Sequence, residues 1–157
     1  MGPRAREDLR AELHRQVEGS VTLGARARLG GALPDGPGWF YPVTLLTGVT
    51  PEMPVFREET FGPVAAVTRV RDEVAALALA NATEYGLAAS VWGPPDRALA
   101  LAPHLEAGQV VINGLVKTDP RLPSGGIKRS GWGRELGPDG IREFVNRQQI
   151  WLGPRSG

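Results

Sequence analysis

A chain of 157 residues, 41% hydrophobic and 22% charged, has the balance of a soluble globular protein with length for one core. Its formal charge of +1 gives no field for a nucleic-acid or membrane-surface partner. The lack of any cysteine removes disulfides, thiolate metal sites and thiol nucleophiles from these residues.

The opening Met1-Gly2-Pro3-Arg4-Ala5-Arg6 has no apolar signal-peptide core, and no uncharged apolar run reaches the roughly 18 residues of a membrane span. A cytoplasmic location is therefore expected. Leu9, Leu13 and Val17 recur every four residues behind the acids Glu7 and Asp8, the stripe of an amphipathic helix that Gly19 and Gly24 should end. His14 reads as an exposed residue of that helix and His104 as a helix-end residue, so no metal ligand set is expected. Residues 30–38 are dense turn chemistry, and Trp39 to Leu46 reads as a strand that Pro42 confines to an edge or a bulge.

Val64 to Val70 reads as a second strand, followed by a helix that Asp72 caps and that runs to about Ala80. Leu87 to Trp92 is a third strand. Asp96 is placed to cap the next helix, Pro103 to end or kink it, and Gln109 to Ile112 is a fourth strand. Strands that alternate with helices predict an α/β fold: a parallel βαβ sheet with helices on both faces and right-handed crossovers. A glycine-punctuated segment, Gly125 to Gly137, leads to a helix from Pro138 bearing Ile141, Phe144 and Val145. Gln148 to Leu152 is expected as a short strand with no obvious partner in its own sheet, hence as an oligomerisation strand. The organisation is read as residues 1–147 in one domain and 148–157 as terminal strand and tail.

The run Glu58-Glu59-Thr60-Phe61-Gly62-Pro63-Val64 puts a carboxylate and a ring on one face of an extended segment, with Glu58 on the other. A carboxylate can accept both hydroxyls of a vicinal diol, and the ring restricts where a flat heterocycle can lie. Lys128, Arg129 and Arg134 among glycines invite a phosphate-loop reading, but the order Gly-x-x-x-x-Gly-Lys-Ser/Thr is absent.

Four stretches in order resemble the aldehyde dehydrogenase family: Trp39-Phe40-Tyr41-Pro42-Val43-Thr44-Leu45, the Glu59 to Val64 run, Glu84-Tyr85-Gly86-Leu87, and Gly108 to Asn113. A fifth, Pro123-Ser124-Gly125-Gly126-Ile127-Lys128-Arg129-Ser130-Gly131-Trp132-Gly133-Arg134-Glu135, is similar to the family's Pro-Phe-Gly-Gly-x-Lys-x-Ser-Gly-x-Gly-Arg-Glu. The resemblance implies the later part of a catalytic domain that oxidises an aldehyde by thiolate addition, hydride transfer to NAD or NADP, and thioester hydrolysis. It implies that Glu59 holds the nicotinamide-ribose hydroxyls and Phe61 flanks the ring. Asn113 would end a strand at the substrate pocket, with Val116, Thr118 and Ser124 on the wall that follows. Ser124 stands where the family usually has Phe, a loss of roughly 150–250 Å² of aromatic surface that should open or wet that wall. Arg121, Lys117 and Lys128 are the cations near enough in sequence to meet an acidic substrate, and the succinate-semialdehyde branch is the nearest in pattern.

The dinucleotide-binding domain, the Cys and the general-base Glu of a complete member would precede these residues. The resemblance therefore implies no catalytic residue here, no turnover by the chain alone, and a partner that is an N-terminal half or further copies of the chain. The alternative is a non-catalytic remnant or interaction module of the same fold.

Overall fold

The computed structural model describes residues 1–154, which form a mixed α/β protein of two compact units, the first Met1–Ala76 and the second beginning at Leu77.

The first unit is built on α1 (Glu7–Thr22), whose N-terminal acids Glu7 and Asp8 oppose the positive end of the helix dipole. The buried stripe is Leu13, Gln16, Val17 and Ser20, one face at helical spacing. The helix continues through Gly19, where it was expected to stop; this glycine sits inside the helix and lets Pro54 approach, a Cβ there lying 3.3 Å from the Pro54 ring. It ends before Gly24, whose φ of 109° suits a residue without Cβ. His14, expected at the surface, packs edge-on against Tyr41 and bonds the phenol at 3.2 Å while its other nitrogen faces Glu18.

Strands β1 (Arg26–Leu29), β2 (Thr44–Thr47) and β3 (Val64–Val67) make one sheet in that order, with β1 antiparallel and β3 parallel to β2. Thr44 and Leu46 are buried while Leu45 and Thr47 are less so, the period-two alternation of a strand with one covered face. Only Thr44 to Leu46 of the expected strand pairs, and the ladder runs one residue further, to Thr47: Trp39, Phe40 and Val43 are exposed, Tyr41 turns into the core, and Pro42 has no N–H to give to a ladder. The Thr44 hydroxyl accepts from Gly31 N and donates to Pro42 O, closing the glycine-rich turn onto the strand. The short helix α2 (Pro54–Arg57) completes the core of Leu13, Val17, Ala25, Tyr41, Leu46, Val49, Met53 and Val55. Val55 N donates to the buried Ser20 hydroxyl, which ties α2 to α1.

The two units divide within α3 (Glu73–Asn81), which Asp72 caps as expected, its carboxylate accepting from Ala75 N at 2.8 Å. In the second unit β5 (Ala88–Val91) pairs in parallel with β6 (Gln109–Ile112) across a helical crossover, α4 (Pro95–Leu101). Asp96 lies inside the first turn of α4 and not at its cap, because the helix starts one residue earlier at Pro95. Pro103 ends the α-helix as expected, the chain tightening into a 3₁₀ turn over Ala102–His104. The two-residue strands β4 (Tyr85–Gly86) and β7 (Ile127–Lys128) form a separate antiparallel ladder, and α5 spans Gly137–Arg142. The parallel strand pairs are thus β2–β3 and β5–β6, each in its own sheet.

Among the described residues, Ala98 is the only fully buried hydrophobic side chain of this second unit. Hydrogen bonds and glycine contacts do much of what a core would do. Gly108 N donates to Gly86 O, Gly86 N to the Ser130 hydroxyl, and Ser124 and Glu135 exchange both main-chain bonds. Residues 148–152, expected as a strand, join no ladder among the described residues and expose Ile150, Trp151 and Leu152. The last three residues of the tail lie outside the described residues.

Candidate functional site

The Glu58–Glu59 pair leaves α2 as extended chain, and α1 sorts the two carboxylates. Glu58 accepts from Arg15 Nη2 and, at 3.1 Å, from Gln16 Nε2. The same Gln16 amide donates at 3.3 Å to the main-chain carbonyl of Glu59. Glu12 and Glu58 raise the Arg15 pKa above its usual value by hydrogen bonding, and Arg15 lowers that of Glu12. Glu59 itself is exposed, and its carboxylate has no partner among the described residues. Phe61, two positions on, is 72% exposed although it is a large apolar ring.

The turn after Phe61 is held just as firmly. Gly62 lies against the Leu13 side chain, where a Cβ would overlap Leu13 Cδ2 and meet the Arg4 guanidinium at 3.4 Å. Only a residue without a side chain passes there unaltered, so the strap carrying Glu59 and Phe61 is seated on α1 at both ends. An unpaired carboxylate and an uncovered ring on one fixed strap can receive a diol and an adjoining flat ring.

The four residues expected at a substrate pocket belong to the second unit. Asn113 follows β6 with φ 51°, and its amide grips one residue: Gly93 N donates to its Oδ1 and its Nδ2 donates to Gly93 O, both at 2.8 Å. Its side chain is thereby committed to the β5–β6 end of the fold. Val116 and Thr118 are exposed on the loop after it. Ser124 was expected at an opened, wetted wall but is only 6% exposed, because its main chain is paired in both directions with Glu135.

Of the three cations near this loop, two are engaged inside the unit. Arg121 forms a fork on Asp119, at 2.9 and 2.6 Å, and lowers the Asp119 pKa mainly through those bonds. Lys128 donates to Asn81 O and Thr83 O and pairs with Glu106. Lys117 has no such partner among the described residues. Arg134 donates to Gly126 O and Gly133 O, so the glycine-rich run is a structural clasp and its cations do not converge on an open anion site.

An open groove of ≈ 680 Å³ lies between Pro120, Leu136, Pro138, Ile141 and Phe144, and none of the four expected pocket residues lines it. Among the described residues there is no group of acids and histidines able to hold a metal ion, and no helix long and apolar enough to cross a membrane. Sequence reasoning missed Gln16 and Arg15, whose link to the strap spans more than 40 residues and leaves no local signal.

Residues 1–150 match the family described as the aldehyde dehydrogenase family. A succinate semialdehyde dehydrogenase [NAD(P)+] of Escherichia coli (strain K12) is 51% identical over 96% of this chain and 33% of its own length. A probable succinate-semialdehyde dehydrogenase [NADP(+)] of Synechocystis is 50% identical over 97% of the chain and 34% of its length. Among solved structures, an aldehyde dehydrogenase of Mycobacterium tuberculosis complexed with NAD+ superimposes with a TM-score of 0.90 at 34% identity, covering 100% of this chain and 33% of that one. A succinic semialdehyde dehydrogenase of Streptococcus pyogenes in complex with NADP+ gives 0.88 at 35% identity, over 97% of this chain and 34% of that one. The chain thus spans about a third of the length of these relatives.

Proposed function

This chain belongs to the aldehyde dehydrogenase family, and we propose that it supplies the C-terminal share of an NAD(P)-dependent enzyme that oxidises an aldehyde, succinate semialdehyde foremost, to the acid. In this reading Glu59 accepts the nicotinamide-ribose hydroxyls and Phe61 limits the tilt of the ring beside them. NAD or NADP, once bound, supplies the hydride acceptor. Asn113, Val116, Thr118 and Ser124 shape the aldehyde side, and Lys117 is the loop cation left to meet a substrate carboxylate. The nucleophilic thiol must come from residues other than these 157, since the chain has no cysteine.

The observation that carries the reading is the asymmetry of the acid pair: Glu58 is fixed by Arg15 and Gln16, whereas the Glu59 carboxylate and the Phe61 ring have no partner among the described residues that explains them. Identity near 50% with relatives named for succinate semialdehyde supports the substrate. A non-catalytic assembly role is the second reading, favoured by the exposed run Ile150-Trp151-Leu152.

The test pairs the chain with the N-terminal two-thirds of a relative and follows aldehyde-dependent formation of reduced nicotinamide. Turnover that needs both parts and falls with Glu59→Gln is expected. A folded assembly without turnover, or one indifferent to Glu59→Gln, would sink the proposal. The purified chain alone is expected to show none.

A further inference from the structure

Among the described residues, Gln16 is the one polar side chain that bonds both acids of the strap, the carboxylate of Glu58 and the main-chain carbonyl of Glu59, and it does so from a buried position. It is 4% exposed on the buried stripe of α1, between Leu13 and Val17 on one side and Ser20 on the other. A buried primary amide has two N–H donors that burial makes costly to leave unpaired. Here the nitrogen donates to Glu58 Oε2 at 3.1 Å and to Glu59 O at 3.3 Å, so one group bridges consecutive residues. The helix beneath is fixed in turn: the Ser20 hydroxyl donates to Gln16 O at 2.8 Å and accepts from Val55 N of α2 at 3.1 Å.

This geometry has a directional consequence. In an extended segment adjacent side chains point to opposite faces, so holding the Glu58 carboxylate against Arg15 and Gln16 of α1 leaves the Glu59 carboxylate on the face turned away from α1, while the bond to Glu59 O fixes the main chain between them. With Gly62 seated against Leu13, the segment from Glu58 to Gly62 is pinned at both ends and Phe61 is carried between them. We infer that Gln16 is a positioning residue for Glu59 and Phe61: it sets the direction of the carboxylate that the proposed function assigns to the nicotinamide ribose, and the inference rests on that assignment only for its functional part. Arg15 assists through Glu58 alone, from a solvated position where its contribution is small.

The experiment uses the full 157-residue chain and Gln16→Met, which keeps length and volume and removes both donors. Amide hydrogen exchange at Gly62 and Val64, whose N–H groups donate to Thr60 O and Gly62 O within the strap, is expected to quicken about fivefold, the equivalent of one hydrogen bond, while exchange at Leu46 in β2 stays unchanged. An equal rise at Leu46 would mean a general loss of stability, and no rise at the strap would mean no positioning; either overturns the inference. In parallel, nicotinamide mononucleotide is titrated by ligand-observed NMR against the chain, Gln16→Met, Glu59→Gln and the double variant. Affinity should fall about fivefold with Gln16→Met, and the double variant should bind no more weakly than Glu59→Gln alone, because Gln16 acts through Glu59. Additive losses would overturn the inference. If the mononucleotide fails to bind while the strap still loosens, the positioning role stands and the ribose assignment of Glu59 falls.

Discussion

Gly108 faces the carbonyl oxygen of Gly125 so closely that an added Cβ would overlap it, with Gly126 Cα at 3.1 Å behind. Both obstacles are main chain and cannot rotate away. Gly108→Ala should therefore lower the stability of the second unit by about 3 kcal/mol, seen as an earlier loss of β5–β6 amide protection in a denaturant series. A change under about 0.5 kcal/mol would mean that the glycine crossing yields easily.

Asn113 combines a left-handed backbone, φ 51°, with two bonds to Gly93. Asn113→Ala loses the bonds and keeps the strained backbone, at a cost of about 2–3 kcal/mol; Asn113→Gly loses the bonds alone and should cost about 1 kcal/mol less. The order of the two variants in thermal denaturation checks the argument, and equal losses would remove the backbone share.

Lys128 should act through the fold and not through a phosphate. Its ammonium closes the C-terminal end of α3 by donating to Asn81 O, and it also holds Thr83 O. Lys128→Met is expected to cost about 2 kcal/mol of stability and to leave inorganic-phosphate binding, followed by ³¹P NMR, as it was.

Tyr41 gives the chain a signature in alkali. It is 4% exposed, and burial, aided by the nearby Glu18 charge, pushes its phenol up to about 12. The folded state therefore holds the proton more tightly than the unfolded chain, whose tyrosine titrates near ~10. The stabilisation is complete below about pH 10 and is lost as pH rises towards 12, on the order of 2–3 kcal/mol in all. The difference in unfolding free energy between the chain and Tyr41→Phe should shrink across that window; a constant difference would contradict the burial argument.

Lys117 is the proposed reader of substrate charge. In the complemented assembly, Lys117→Met should raise KM for succinate semialdehyde about tenfold and leave an uncharged aldehyde of similar length unaffected. Equal effects on the two substrates would assign Lys117 to the loop's own structure.

The apolar runs behind β3, β5 and β6 and the Asp72 cap were legible in the sequence because each depends on near neighbours in the chain. The sorting of Glu58 from Glu59 was not, since it is imposed by Arg15 and Gln16 of α1. Period-two spacing says that two adjacent acids diverge; it does not say which one the protein will use internally. β1 went unnoticed because Arg26-Ala27-Arg28-Leu29 is exposed throughout and takes its strand form from pairing with β2. The β4–β7 ladder is two residues long and joins segments more than 40 apart, so propensity has nothing to sum over. That Ser124 is buried and not wetted was not legible either, because residue size says nothing of the main-chain pairing to Glu135 that encloses it.

The clasp that runs through Gly86, Gly108 and Ser130 sets an order of events during translation. The first unit has its last ladder residue, Val67, long before the chain is finished, so its three strands can pair as soon as they emerge from the ribosome. The second is not closed until Ser130 and Lys128 are outside the exit tunnel, because the Gly86 N–H and the Asn81 carbonyl meet their partners only then. Synonymous codon changes that slow elongation near residue 130 should therefore lengthen the exposure of newly made β5 and β6 to proteases and chaperones, while the nascent first unit passes unaffected.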